Sequence, residues 1–88
     1  MGTKLSLRDK EIYKKIDEIL YYEWNPIGIE DLPRNEYQSY IPIIFNLKKA
    51  GASNEEIATT LFQIESDDIG MPGTIEFCRT IAKKVEDI

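Results

Sequence analysis

Residues 37–47 read Tyr37-Gln38-Ser39-Tyr40-Ile41-Pro42-Ile43-Ile44-Phe45-Asn46-Leu47, the most apolar run of the chain. Every other candidate helix carries a charged face, whereas this run is apolar nearly all round. A helix with that pattern is one that neighbouring elements cover on most sides. We therefore expect an all-α fold in which Tyr37–Leu47 is the central helix.

Pro42 leaves the form of this central helix open. A proline inside a helix removes a hydrogen bond and clashes with the preceding turn, so 36–40 would be a first turn and the helix would kink or restart at Pro42. Alternatively, the helix begins with Pro42 near its first position. Asn35 is the predicted N-cap, with Gln38 three residues later. A strand at Ile41–Leu47 is the third possibility, but the chain offers it no partner strand.

The first predicted helix runs from Leu7 to Tyr22 or Trp24. Ser6 is a good N-cap, with Asp9 three residues later. The helical stripe comprises Ile12, Ile16, Ile19 and Leu20, and it fails at Glu23. At the end of such a helix Trp24 is a core anchor rather than a ligand platform, because its large ring is costly to leave in water.

Two more helices are predicted after Gly51, which suits the end of the central one. Ser53 and Glu56 form a capping box, and it opens a third helix of about Asn54–Ile64. The stretch Glu65–Gly73 is predicted to be a loop, in which Glu65–Asp68 form a solvated turn. A fourth helix then opens near Pro72 or Thr74, and its apolar face consists of Ile75, Cys78, Ile81, Ala82 and Val85. The expected architecture is one helical domain over residues 1–88, with residues 1–5 frayed.

Bulk composition indicates a soluble globular protein. The chain has 88 residues, of which 42% are hydrophobic and 31% charged. No apolar run approaches the ~18–20 residues that a membrane span needs, and residues 1–20 lack the apolar core of a signal peptide. Cys78 is the single cysteine, which excludes an intrachain disulfide and fits a reducing cytoplasm.

Charge is unevenly distributed along the chain, whose net charge is −5. Residues 1–15 carry net +3, whereas residues 50–78 carry six acidic side chains and no basic one. An acidic surface repels phosphate backbones, so nucleic acid is not the expected partner. The acidic side chains either solvate a face or steer a basic protein partner. The candidate partner-binding residues are Glu55, Glu56, Glu65, Asp67 and Asp68.

The amino-acid composition gives little support for a catalytic or metal-binding function. The chain has no histidine, which removes the commonest general base and metal ligand. Cys78 lies on a predicted apolar face, where a small core residue is expected rather than a nucleophile. A calcium loop starting at Glu65 would place Ile69 at its fifth position, where an oxygen ligand is needed. We therefore predict no catalytic residue, no metal, no cofactor and no enzymatic activity.

The segment from Gly51 to Leu61 resembles the first half of a helix-turn-helix, so a DNA-binding protein is an alternative. The predicted loop before the fourth helix is about twice as long as the three to four residues of that motif. That loop is also acidic, whereas a phosphate-facing turn is neutral or basic.

Five consecutive residues carry a family resemblance: Trp24, Asn25, Pro26, Ile27 and Gly28. Together with Asn35-Glu36-Tyr37, Gly51-Ala52-Ser53 and Glu55-Glu56-Ile57, they resemble a family of short bacterial proteins catalogued as a domain of unknown function. That family has a Trp-Asp-Pro-Ile-Gly-like signature, and some related proteins are regarded as toxin-immunity proteins. The resemblance implies an all-helical domain over about residues 6–88 and identifies no binding residue. Asn25 replaces the usual aspartate, which keeps a capping oxygen and removes a charge.

These observations lead to one functional expectation with two alternatives. The chain is predicted to be a small acidic cytoplasmic module that binds another protein, in which the signature serves folding. The alternatives are an immunity protein whose acidic face covers a basic toxin site, and the DNA-binding protein described above. The sequence leaves the partner and the oligomeric state open.

Overall fold

The structure, a computed structural model, describes residues 6–28, 31–70 and 73–88. These ranges contain four α-helices and no strand: Leu7–Glu18 (α1), Ile41–Lys49 (α2), Asn54–Gln63 (α3) and Ile75–Glu86 (α4). The predicted compact all-α fold is thereby confirmed. Residues 1–5, predicted to be frayed, lie outside the described ranges.

α1 begins where the sequence predicts. The Ser6 hydroxyl oxygen accepts a hydrogen bond from the Asp9 backbone N–H at 3.0 Å, which satisfies one free donor of the first turn. Ile12, Ile16, Ile19 and Leu20 are buried as predicted, and Glu23 is exposed. The helical path continues beyond Glu18 to Trp24, although in a wider form than an α-helix.

Two six-residue π-helical segments extend two of the helices. The first π segment, Ile19–Trp24, continues α1, and the second, Ile64–Ile69, continues α3. Each ends at a residue with positive φ, Asn25 at 31° and Gly70 at 76°. In both cases the N–H of that residue donates to the carbonyl five positions earlier, of Leu20 and of Glu65 respectively. The prediction that Glu65–Gly73 is a loop is therefore wrong for Glu65–Ile69, because the helical hydrogen bonding continues there in the i to i−5 pattern.

The start of α2 decides between the alternative positions that Pro42 leaves open for the beginning of this helix. A short 3₁₀ turn, Gln38–Tyr40, precedes it, and α2 itself begins at Ile41, with Pro42 in the first turn. There proline has no hydrogen bond to remove, so no kink is needed. The strand alternative is wrong. The predicted cap at Asn35 is also wrong, because Asn35 lies in a turn and Tyr40 precedes the helix without a side-chain cap bond.

The surroundings of α2 differ from the expectation of a helix covered on all sides. α2 packs on α1 and α3, and it buries Ile41, Ile44 and Phe45. Pro42 and Ile43 face away, and Ile43 is 43% exposed. The fold therefore leaves some of the apolar residues of this run exposed to solvent.

The junction of α2 and α3 follows local rules closely. Gly51 has φ +79°, and its N–H and that of Ala52 donate to the carbonyls of Lys48 and Leu47. This pattern is a Schellman motif, which needs a residue that tolerates the left-handed region. Ser53 and Glu56 then form the predicted capping box at the start of α3.

α4 begins after Thr74, whose hydroxyl accepts from the Phe77 N–H at 3.2 Å. It packs most closely on α3 and also contacts the first π segment. The predicted face is confirmed, with Ile75 half-buried and the rest buried. The fully enclosed core joins all the helices and includes Ile16, Leu20, Ile44, Leu61, Ile81 and Val85.

Candidate functional site

The two π segments meet through one hydrogen bond. The indole Nε1–H of Trp24, the last residue of the first π segment, donates to Oε1 of Glu65 in the second at 2.6 Å. Both side chains are buried, each 2% exposed. Trp24 is therefore the core anchor that the sequence predicts, and its partner is an acidic residue.

Glu65 accepts two further hydrogen bonds. The backbone N–H of Gly73 donates to Oε2 at 2.9 Å, and the Cys78 S–H donates to Oε1 at 3.3 Å. With three donors facing its two oxygens, the side chain acts as a carboxylate acceptor. Gly73 immediately precedes the Thr74 cap, so the carboxylate also lies near the positive end of the α4 dipole. These contacts offset the loss of water that a buried carboxylate suffers.

The acidic residues predicted to form one partner surface do not all reach the surface. Glu65 is buried, which contradicts its assignment to a solvated turn. Glu55 pairs with Arg79 at 2.7 Å, and Glu56 is engaged in the capping box. Asp67 and Asp68 are exposed. The sequence did contain a signal for Glu65, since it follows Ile57 and Leu61 at four-residue spacing on the buried stripe of α3.

The signature residues after Trp24 form a compact polar turn. Asn25 adopts φ 31°, a region that asparagine tolerates better than most residues. Its Oδ1 accepts from the Tyr37 hydroxyl at 2.7 Å and from the Gly28 N–H at 3.3 Å. The Tyr37 oxygen in turn accepts from the Ile27 N–H at 3.1 Å. Burial raises the pKa of Tyr37, so the phenol keeps the proton that it donates to Asn25.

A groove of about 380 Å³ opens beside this junction. Its floor includes Trp24 and Glu65, and exposed rings stand at Tyr22 and Phe77, which are 66% and 42% exposed. The remaining lining residues are Glu23, Asn25, Pro26 and Gly73. Sequence reasoning missed this groove because it is assembled from segments far apart in the chain.

The Tyr22 ring is held in place by its neighbours. Tyr21 contacts it edge-on, with ring centroids 4.9 Å apart, and the Tyr21 hydroxyl donates to the Leu32 carbonyl at 2.6 Å. The Arg34 guanidinium lies 4.6 Å from the Tyr21 centroid and 5.1 Å from that of Tyr22, and it pairs with Asp17 at 2.9 Å. Tyr21 itself is half-buried. Tyr22 is thus an exposed ring on a fixed support.

Cys78 is a buried free thiol beneath the groove. Burial first, and then the adjacent Glu65 carboxylate, raise the pKa of Cys78 from its ordinary 9.0 to about 12. The thiol therefore stays protonated at neutral pH, and it is enclosed in the core, as the sequence predicts. Among the residues that the structure describes, no cluster of histidine, cysteine, aspartate and glutamate suits a metal ion. The arrangement of rings and carboxylates around the groove is suited to binding.

Comparisons with models of protein families, with curated proteins and with solved structures returned no match. The resemblance to the bacterial family therefore rests on the sequence motifs named above. Within the described ranges, the helices are too short or too polar to cross a bilayer.

Proposed function

We propose that this protein is a small protein-interaction module and that the groove beside Trp24 is its docking surface for a basic protein partner. The observation that carries the proposal is the pair of exposed rings, Tyr22 and Phe77, beside a groove whose floor the Trp24–Glu65 hydrogen bond fixes. Exposed aromatic residues around a pocket are the side chains that most often dominate binding energy between proteins.

Pre-organisation supports this assignment. The Tyr22 ring is braced by Tyr21 and Arg34, and Phe77 stands on a regular turn of α4. A ring that is already fixed loses less conformational entropy when a partner covers it. The groove volume of about 380 Å³ also falls in the range of known binding pockets.

Charge supports a basic partner. The chain carries net −5, and it has no basic residue between Lys49 and Arg79. Among the described residues, the groove lining includes the carboxylates of Glu23 and Glu65 and no lysine or arginine. Complementary charge steers encounter and rejects acidic competitors.

An immunity protein is the sharper form of this proposal, since an acidic module would cover a basic site on a toxin. The family resemblance of the Trp24–Gly28 signature supports it, and a toxin gene beside the coding gene would support it further.

DNA binding is the weaker alternative, because carboxylates already pair with the basic side chains of α4: Arg79, Lys83 and Lys84. The single thiol favours a reducing compartment such as the cytoplasm.

Site-specific photo-cross-linking in the native host tests the docking surface. A benzophenone amino acid replaces Phe77 in one variant and Ile43 in a matched control, since both positions are about equally exposed, at 42% and 43%. We expect one protein to cross-link through position 77 and not through position 43. That protein, purified, should then bind the wild-type chain in solution. Cross-linking through position 43 alone, or equal background products at both positions, would contradict the proposal.

A further inference from the structure

We infer that the groove receives the basic side chain of the partner, with its ammonium or guanidinium group between the aromatic rings and the Glu65 carboxylate. This inference rests on the proposed function and names the group that the partner inserts. It follows from the charge of the lining, the free acceptor capacity of Glu65 and the arrangement of the rings.

The described part of the lining carries negative charge and contains no lysine or arginine. Glu65 and Glu23 are its two ionisable side chains apart from Tyr22. Glu23 pairs at 2.9 Å with Lys84, and both side chains are exposed there, at 43% and 46%. Within the described ranges, no ion pair involves Glu65, whose partners are the neutral donors already named. A cation entering the groove therefore meets a carboxylate whose charge no side chain neutralises.

Glu65 retains room for one more donor. Oε1 accepts two hydrogen bonds, from Trp24 and Cys78, whereas Oε2 accepts one, from Gly73. A carboxylate oxygen accepts two, so the described residues leave one acceptor position of Oε2 free. An apolar side chain in the groove would cover that position without supplying a donor, which is unfavourable. A basic side chain supplies both a donor and the opposite charge.

The rings suit the same group. Tyr22, Trp24 and Phe77 all line the groove, and the negative face of an aromatic ring attracts an organic cation. Arg34 already makes this contact with Tyr22, at 5.1 Å, from outside the groove lining. The long apolar stem of a lysine or arginine would pack along Phe77 and Pro26 while its charged head reaches Glu65.

A matched pair of small probes tests the inference without the partner. N-acetyl-lysine N-methylamide and N-acetyl-norleucine N-methylamide have similar backbones and apolar stems, but only the first carries an ammonium group. Trp24 is the single tryptophan, so its indole N–H gives one resolved signal in a ¹⁵N–¹H spectrum. We expect the lysine probe to shift that signal saturably, with a dissociation constant on the order of 10 mM. The norleucine probe should bind at least about fivefold more weakly.

Two variants locate the binding. Phe77→Leu keeps an apolar side chain but removes the ring, and it should weaken the lysine probe about fivefold while leaving the norleucine probe unchanged. Ile43→Leu, outside the groove lining, should change neither. Three results would overturn the inference. They are equal affinity for both probes, no saturable shift with the lysine probe, and an affinity for the lysine probe that Phe77→Leu leaves unchanged. If a partner cross-links at position 77 but the probes are not discriminated, the docking surface stands and the basic side chain is excluded.

Discussion

At the scale of single residues, Glu65 shows how the fold accommodates a buried carboxylate. Its two oxygens accept from an indole, a backbone amide and a thiol, and these donors come from two parts of the chain, the end of the first π segment and the start of α4. The four-residue spacing from Leu61 places it on the buried face, so its burial could be predicted from the sequence. Its hydrogen-bond partners could not, because they depend on how the first π segment and α4 approach α3.

Replacing Glu65 should destabilise the protein. In Glu65→Gln the amide offers one acceptor oxygen, so either the Trp24 or the Gly73 N–H would face an amide N–H₂ group. Leaving a buried donor without an acceptor costs about 1–3 kcal/mol. Asp67→Asn is the matched control on the same segment, since Asp67 is exposed, and it should change stability by less than about 0.5 kcal/mol. Urea denaturation, followed by Trp24 fluorescence, measures the unfolding free energy of both variants. Equal stability of the two variants would contradict the structural role of Glu65.

Cys78 should make folding less favourable at alkaline pH. The folded protein raises the pKa of this thiol to about 12 from 9.0, so above pH 9 the unfolded chain releases a proton that the folded one retains. This contribution to stability is complete below about pH 9 and is lost as the pH rises towards 12. Cys78→Ala should therefore show a shallower decline in unfolding free energy over that range than the wild type. Parallel pH profiles for the two proteins would show that the thiol titrates normally in the folded state.

At the scale of elements, helix starts and π segments differ in how far the sequence specifies them. Ser6, Gly51 and Ser53 act within a few residues of themselves, so the ends that they mark could be predicted. A π segment needs tertiary contacts to repay its wider turn. The last residue of the first π segment, Trp24, is buried, whereas Glu23 is exposed. The four-residue spacing from Leu20 predicts the burial of Trp24, but it does not predict the change from i to i−4 to i to i−5 hydrogen bonding.

Asn25 should be needed both for its conformation and for its side-chain oxygen. Asn25→Ala removes the acceptor of the Tyr37 and Gly28 hydrogen bonds and places alanine at positive φ, so we expect a loss of about 1–3 kcal/mol. Asn25→Asp, the residue of the resembling family, keeps the acceptor and should cost less than half as much. Thermal unfolding compares the two. If aspartate destabilised as much as alanine, the carbonyl oxygen of Asn25 would not be what matters.

At the scale of the whole molecule, the sequence determines the core better than the surface. Helical periodicity identified the buried faces of α1 and α4, because burial follows from the spacing of apolar residues along one element. The groove depends instead on contacts such as Trp24–Glu65, which joins residues 41 positions apart. Charge counting along residues 50–78 predicted an acidic partner surface, yet the fold buries Glu65 and engages Glu55 and Glu56 in other contacts. Asp67 and Asp68 remain exposed, but the groove lies beside the exposed rings of Tyr22 and Phe77.

The most direct test compares two pairs of exposed apolar residues. Tyr22 and Phe77 stand at the groove, whereas Leu7 and Ile43, which are 80% and 43% exposed, lie outside its lining. Titration calorimetry with the cross-linked partner would measure the dissociation constants of Tyr22→Ser/Phe77→Ser and Leu7→Ser/Ile43→Ser. The groove pair should weaken binding by at least about 30-fold, the effect of losing hot-spot residues, and the control pair by less than about threefold. Equal losses, or a larger loss for the control pair, would contradict a docking surface at the groove.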